Sequence, residues 1–152
     1  MTKKILSLIV FILPLSLLSA CSEEYSLYSA NGCYVDKVEG GVEAPPQQFS
    51  VDEGATVAFL GWALDPFNKN SPSVVKIIAV SDQGKPYLLG DGGAGASRPD
   101  VATVFNNQNY AKAGYRVEVS LKIPKGAYKL QLNSESDNNI IVCSPQASLV
   151  IK

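Results

Sequence analysis

Histidine is absent from the 152-residue chain. That removes the commonest general base, the Ser–His nucleophile pairing and any zinc site built on imidazole. Positive charge is also limited, with 13 Lys and Arg against 14 Asp and Glu. A nucleic-acid surface would need clustered Lys and Arg, so nucleic acid is not an expected partner. No internal repeat or low-complexity tract is present. The apolar run from Ile5 to Leu18 is shorter than the roughly 20 residues of a membrane-spanning helix and contains Pro14.

What the N-terminus does contain is an export signal. Lys3 and Lys4 form a positive start, and the apolar run that follows is broken only by Ser7, Pro14 and Ser16. An ordinary cleaved secretory signal would place small residues at the third and first positions before the cut, where Leu18 fits poorly. Leu18-Ser19-Ala20-Cys21 instead resembles the lipobox of bacterial lipoproteins, in which the cysteine thiol receives a diacylglycerol and a peptidase cuts before it. The resemblance implies a signal peptide over 1–20, a lipidated Cys21 and a bacterial cell-envelope location. At about 0.8 kcal/mol per buried CH₂, several acyl chains would make release from the membrane negligible. Ser22, rather than Asp, follows the cysteine and favours the outer membrane.

Of the three cysteines, lipidation uses Cys21, which leaves Cys33 and Cys143. In an oxidising periplasm such a pair is normally a disulfide; the alternative is two buried free thiols. A bond across 110 residues would tie the start of the domain to its end. Closing a loop of that size contributes on the order of 4 to 5 kcal/mol in the chain-entropy picture. Loss of residues 1–20 would leave 132 residues, enough for one domain with a real core. Loss of the two signal lysines would leave 11 basic against 14 acidic side chains, a net charge of −3. Residues 21–31 are polar with scattered Tyr25, Leu27 and Tyr28 and read as a tether, so the domain is expected over 32–152.

Within the domain the apolar period is two. From Tyr115 to Ile123 the odd positions are apolar and the even ones polar, so one face is core and the other solvent. Pro124-Lys125-Gly126 then predicts a turn, and Tyr128, Leu130 and Leu132 alternate along a returning strand, which together read as a hairpin. Further strands are expected over Ala55–Leu64, Val74–Val80, Pro86–Leu89, Ile140–Cys143 and Ser148–Ile151, with Pro145 at a bend. One short helix is expected near Val101, Val104 and Phe105, with Ser97 as N-cap, Pro99 in the first turn and Asp100 completing a capping box. The expected fold is therefore all-β, an antiparallel sandwich of seven or eight strands with one helical turn.

Several short motifs occur in order: Gly32-Cys33-Tyr34-Val35-Asp36, Gly61-Trp62-Ala63-Leu64-Asp65, Arg98-Pro99-Asp100-Val101, Ala113-Gly114-Tyr115 and Pro124-Lys125-Gly126-Ala127-Tyr128. This arrangement resembles an immunoglobulin-like domain that recurs in bacterial exported and membrane proteins. The regions Asn68–Ser73 and Gly90–Ala96 look longer than that pattern. The resemblance implies a fold and an accessory role, with no catalytic residues and no cofactor.

The motif side chains also have plain physical readings. Trp62 is expected to pack between sheets, and Asp65 and Asp100 to cap turns or pair with Arg98. A metal site from Asp65, Asp91 and Asp100 lacks the dense oxygen-ligand spacing such sites need. Gly90-Asp91-Gly92-Gly93-Ala94-Gly95 satisfies G-x-G-x-x-G, but a dinucleotide site needs a long helix directly afterwards, and Pro99 intervenes. The stretch reads as a mobile loop. The leading function is a lipid-anchored, non-catalytic interaction module presenting loops to a protein or glycan partner. One alternative is carbohydrate binding through Tyr87, Tyr110, Tyr115 and Trp62. The other is a hydrolase with two carboxylates about 5 to 10 Å apart, which no spacing suggests.

Overall fold

The computed structural model describes residues 26–152; the leader over 1–20 and Cys21 lie outside the described residues. The described chain forms eleven strands, with period-two alternation clearest in the longer ones: β1 (Ser26–Ser29), β2 (Cys33–Glu39), β3 (Val42–Ala44), β4 (Gln48–Val51), β5 (Thr56–Ala63), β6 (Val74–Ser81), β7 (Pro86–Ala96), β8 (Gly114–Ser120), β9 (Gly126–Ser136), β10 (Asn139–Cys143) and β11 (Ser148–Ile151). A short helix α1 (Pro99–Val104) and a 3-10 turn (Gln108–Lys112) fill the β7–β8 connection. The fold is all-β.

Hydrogen bonding links the strands in the order β2-β5-β8-β7-β6-β9-β11-β4-β3, with β10 on β9 and β1 on β10. The two ends of that path, β2 and β3, are consecutive in the chain and joined through Gly40 and Gly41. The sheet therefore curls nearly into a barrel, which shortens the unpaired edge it presents. Phe49, Phe59, Ile77, Val117, Leu130 and Leu149 point inward from six different strands into one core. In β8 the alternation is followed residue by residue: Tyr115, Val117 and Val119 are buried, and Arg116 and Glu118 are exposed.

Five expectations about the fold are corrected. The chain from Tyr115 to Leu132 is not a hairpin: β8 pairs with β5 and β7, whereas β9 pairs with β6, β10 and β11. The link crosses the core, keeping Leu121 and Ile123 buried, so alternation persists beyond the end of the strand. The pairing is not wholly antiparallel, because β1 lies parallel to β10 and β11 parallel to β4. Ser97 does not cap α1; Arg98 occupies that position without a side-chain cap, because its guanidinium is engaged elsewhere. Residues 26–29, inside the segment read as tether, form β1.

The fifth correction is the glycine stretch, which is strand rather than mobile loop. β7 pairs with β6 from Pro86 to Gly93 and then leaves it for β8, where Ala94 faces Tyr115 and Ala96 faces Gly114. Its register shifts twice, the second time next to Gly95 at φ +132°. A Cβ on Gly90 would come within 2.6 Å of Val119 Cγ1, and one on Gly92 within 3.0 Å of the Arg116 carbonyl. Glycine is what lets this strand bend across the face of β8 and carry the sheet around the corner.

Candidate functional site

The disulfide Cys33–Cys143 is formed, with Cα atoms 6.1 Å apart. It joins the start of β2 to the end of β10, at the floor of a cleft of about 580 Å³ lined by Tyr34, Trp62, Gln47 and Gln146. One wall of that cleft is the start of an aromatic strip, Tyr34 from β2 and Trp62 from β5, which Phe105 just past α1 continues outside the cleft.

On β5, Val57, Phe59, Gly61 and Ala63 face the core, so parity turns Trp62 outward. This corrects the placement of Trp62 between sheets. Its half-buried ring packs on a small second cluster of Leu64, just past β5, with Val101 from α1 and Tyr110 and Ala113 from the 3-10 turn and its end. Tyr34, its cross-strand partner, stacks beside it at 6.3 Å and 12°. Phe105 meets it edge-on at 5.6 Å, and Tyr110 meets Phe105 at 5.9 Å. The outer members of the strip are open, Tyr34 at 41% and Phe105 at 44% exposure. Beyond Phe105 lies a second hollow of about 440 Å³ lined by Pro66, Lys69, Asn106, Asn107 and Asn109.

Gly61 explains how the strip is held. A Cβ there would fall 2.0 Å from the Tyr34 carbonyl oxygen and 2.5 Å from the Tyr115 hydroxyl. Its absence lets Tyr115 donate to that carbonyl at 2.9 Å from inside the core, and burial pushes the Tyr115 hydroxyl pKa well up. Tyr115 is thus a core anchor, and the sugar-stacking row expected from Tyr87, Tyr110, Tyr115 and Trp62 does not form. Tyr110 is buried, and Tyr87 packs edge-on against Tyr128.

The Arg-Pro-Asp-Val motif fastens α1 over this face. Arg98 Nη2 donates to Asp100 at 2.7 Å, and Nη1 to Asp36 at 2.5 Å. A bulge in β2 between Val35 and Lys37 sets Asp36 out of the regular pairing. The fork on Arg98 holds the Asp100 carboxyl down at about 2, below the usual carboxylate range. Pro99 opens the helix, where no amide is needed, and Val101 fills its inner side.

Asp65 caps a turn, as its position after the apolar strand suggested. It is fully buried, and its Oδ1 accepts from the amides of Phe67 at 2.9 Å and Asn68 at 3.0 Å, its Oδ2 from Asn68 Nδ2 at 2.8 Å. Burial raises its pKa, but hydrogen bonds from Ser136, Asn68 and Phe67 outweigh that and leave it lowered. Asn107 and Asn109 side chains both donate to the Lys69 carbonyl, tying this loop to the 3-10 turn. Asp65, Asp91 and Asp100 sit on three separate elements, and the oxygens of Asp65 and Asp100 are already used.

The motif residues therefore converge as scaffold, while the open surface comes from Tyr34, Phe105 and the asparagines. Sequence reasoning missed Tyr34; the signal for it was its place on the opening strand next to Cys33. No protein-family model and no curated protein matches this chain. Chemically the face offers aromatic rings flanked by amide donors and acceptors, a combination suited to recognising a surface or a sugar ring.

Proposed function

We propose that this chain is a bacterial lipoprotein whose β domain, immunoglobulin-like in type, acts as a non-catalytic interaction module held to the outer membrane by a lipid on Cys21. The observation that carries the reading is the aromatic strip Tyr34–Trp62–Phe105, whose outer rings are exposed although a buried hydroxyl, a salt-bridged arginine and a disulfide fix the backbone beneath it. Such rigid support under exposed rings is what a binding surface needs. The change of partner strand along β7, from β6 to β8, supports the two-layer, immunoglobulin-like reading of the fold.

A carbohydrate partner is favoured over a protein one by the amides around the strip, Gln47 and Gln146 on one side and Asn106, Asn107 and Asn109 on the other. Screening the domain on a glycan array, with Tyr34→Ser beside the native chain, tests this. Binding that the variant loses while its melting temperature stays unchanged supports the sugar reading. Absence of any glycan signal directs the search to a protein partner. Mass spectrometry of the membrane-extracted chain should find an acylated Cys21, and Cys21→Ser should accumulate as the longer precursor.

A further inference from the structure

A second surface lies at one end of the barrel. It rests on the same anchor reading but concerns a different group of side chains. β1 is the first described segment, and Leu27 (70% exposed) and Tyr28 (37% exposed) project from it. Tyr28 packs its ring 4.3 Å from Phe67, which is itself 51% exposed at the tip of the Asp65 turn. Leu27, Tyr28 and Phe67 are three of the eight large apolar side chains exposed among the described residues, two of them on β1 and the third packed on Tyr28.

Chain length says what covers them. Five residue steps separate Cys21 from Ser26 and can span at most about 18 Å. A lipid on Cys21 would keep the start of β1 within the headgroup zone of the bilayer or just above it. The opposite turns are a full strand away: β9 runs eleven residues from one end to the other, about 33 Å at the usual rise. The turns there carry Asp52, Glu53, Asp82, Lys85, Lys122 and Lys125, which favour water.

We propose that the Leu27–Tyr28–Phe67 patch is a membrane-contacting face that docks the domain end-on against the bilayer in which its own lipid is inserted. Apolar and aromatic side chains at headgroup depth gain by leaving water, and a tyrosine hydroxyl can stay hydrated there. Docked this way, the domain would direct the charged turns away from the membrane.

The test uses the acylated full-length protein in phosphatidylethanolamine–phosphatidylglycerol vesicles with brominated acyl chains. Phe67→Trp, Leu27→Trp and Lys125→Trp are compared with the native chain, whose Trp62 sets the background. The expected result is at least twofold stronger quenching of the added indole at 67 and at 27 than at 125. Two exposed positions guard against one variant failing to fold. Equal quenching at all three in protein that floats with the vesicles overturns the docked face and leaves the anchor reading standing. Protein that stays off the vesicles, with Cys21 unmodified by mass spectrometry, overturns both. Unquenched indoles at 67 and 27 that respond to an added oligosaccharide would assign this end to a sugar instead.

Discussion

The two ends of this barrel are built from different materials. At one end the chain spends long connections, 64–73 and 97–113, and orders them with a buried aspartate, asparagine-to-carbonyl hydrogen bonds and packed aromatic rings. At the other it turns back quickly, through Gly40–Gly41, Asp52–Ala55 and Asp82–Lys85, with charged side chains in water and one loose ion pair, Lys125–Glu53 at 3.7 Å. Short turns are the cheapest way to join strands, so long, hydrogen-bonded connections mark where the molecule maintains a surface. The comparison teaches where to look for function, and it can be broken by perturbing each end in turn.

The largest effect should come from the disulfide. Replacing both Cys33 and Cys143 by Ala should cost about 4 kcal/mol, read from the denaturant midpoint. Hydrogen exchange should then speed up first in β1, β10 and the start of β2, and later at the Asp52–Ala55 turn. Uniform acceleration would erase the contrast between the ends. Gly61→Ala should follow at about 3 kcal/mol, because the added methyl group meets a backbone carbonyl that cannot move away. Calorimetry on that variant should show a lower melting temperature and a weakened Tyr34–Trp62 contact in near-ultraviolet circular dichroism.

Trp62→Ala should cost about 2 kcal/mol, less than the 3 to 5 typical of a tryptophan enclosed in a core. A loss as large as that core value would contradict the outward placement of the ring. Asp65→Asn should cost about 1 to 2 kcal/mol at neutral pH by weakening charge-assisted bonds to the turn amides. The sign with pH is set by the lowered carboxyl. Its stabilisation is present above the ordinary aspartate value of 3.8 and is lost as pH falls below it through the folded-state value. Acid titrations of the native chain and the variant should therefore stay apart down to the ordinary aspartate value of 3.8 and converge as the pH falls from there through the lowered folded-state value. The smallest effect belongs to Lys125→Ala at the charged end, below about 0.5 kcal/mol and further reduced by salt.

Strand content was the part of the fold most open to sequence reading, because alternating burial leaves the same trace whatever the partner strand is. β5, β6, β8 and β11 fall close to their expected positions for that reason. Pairing was not legible. Nothing in the alternation from Tyr115 to Leu132 separates a hairpin from a crossing whose link is itself buried. β7 was expected only over Pro86–Leu89; its continuation from Gly90 was hidden because glycine carries no hydropathy signal, although a run of it suits both a loop and a closely packed bend. The short strands β3 and β4 lack enough residues to show a period. At the candidate site, the capping role of Asp65 and the Arg98–Asp100 pair could be anticipated from local spacing. The direction of Trp62 could not, since it depends on which parity of β5 faces inward, and small residues at Gly61 and Ala63 concealed that.

Under the export reading proposed above, in which the chain is threaded N-terminus first across a membrane, the parallel pairings have a consequence. β1 and β4 appear early but find their parallel partners, β10 and β11, only among residues 139–151, although β4 already has β3 on its other side. Cys33 likewise waits 110 residues for its partner. Until the late strands emerge, the early ones present open edges. A domain of this topology would reach maturity in a single closing step at the end of translocation, and a holding factor at the exit site would have most to do just before it.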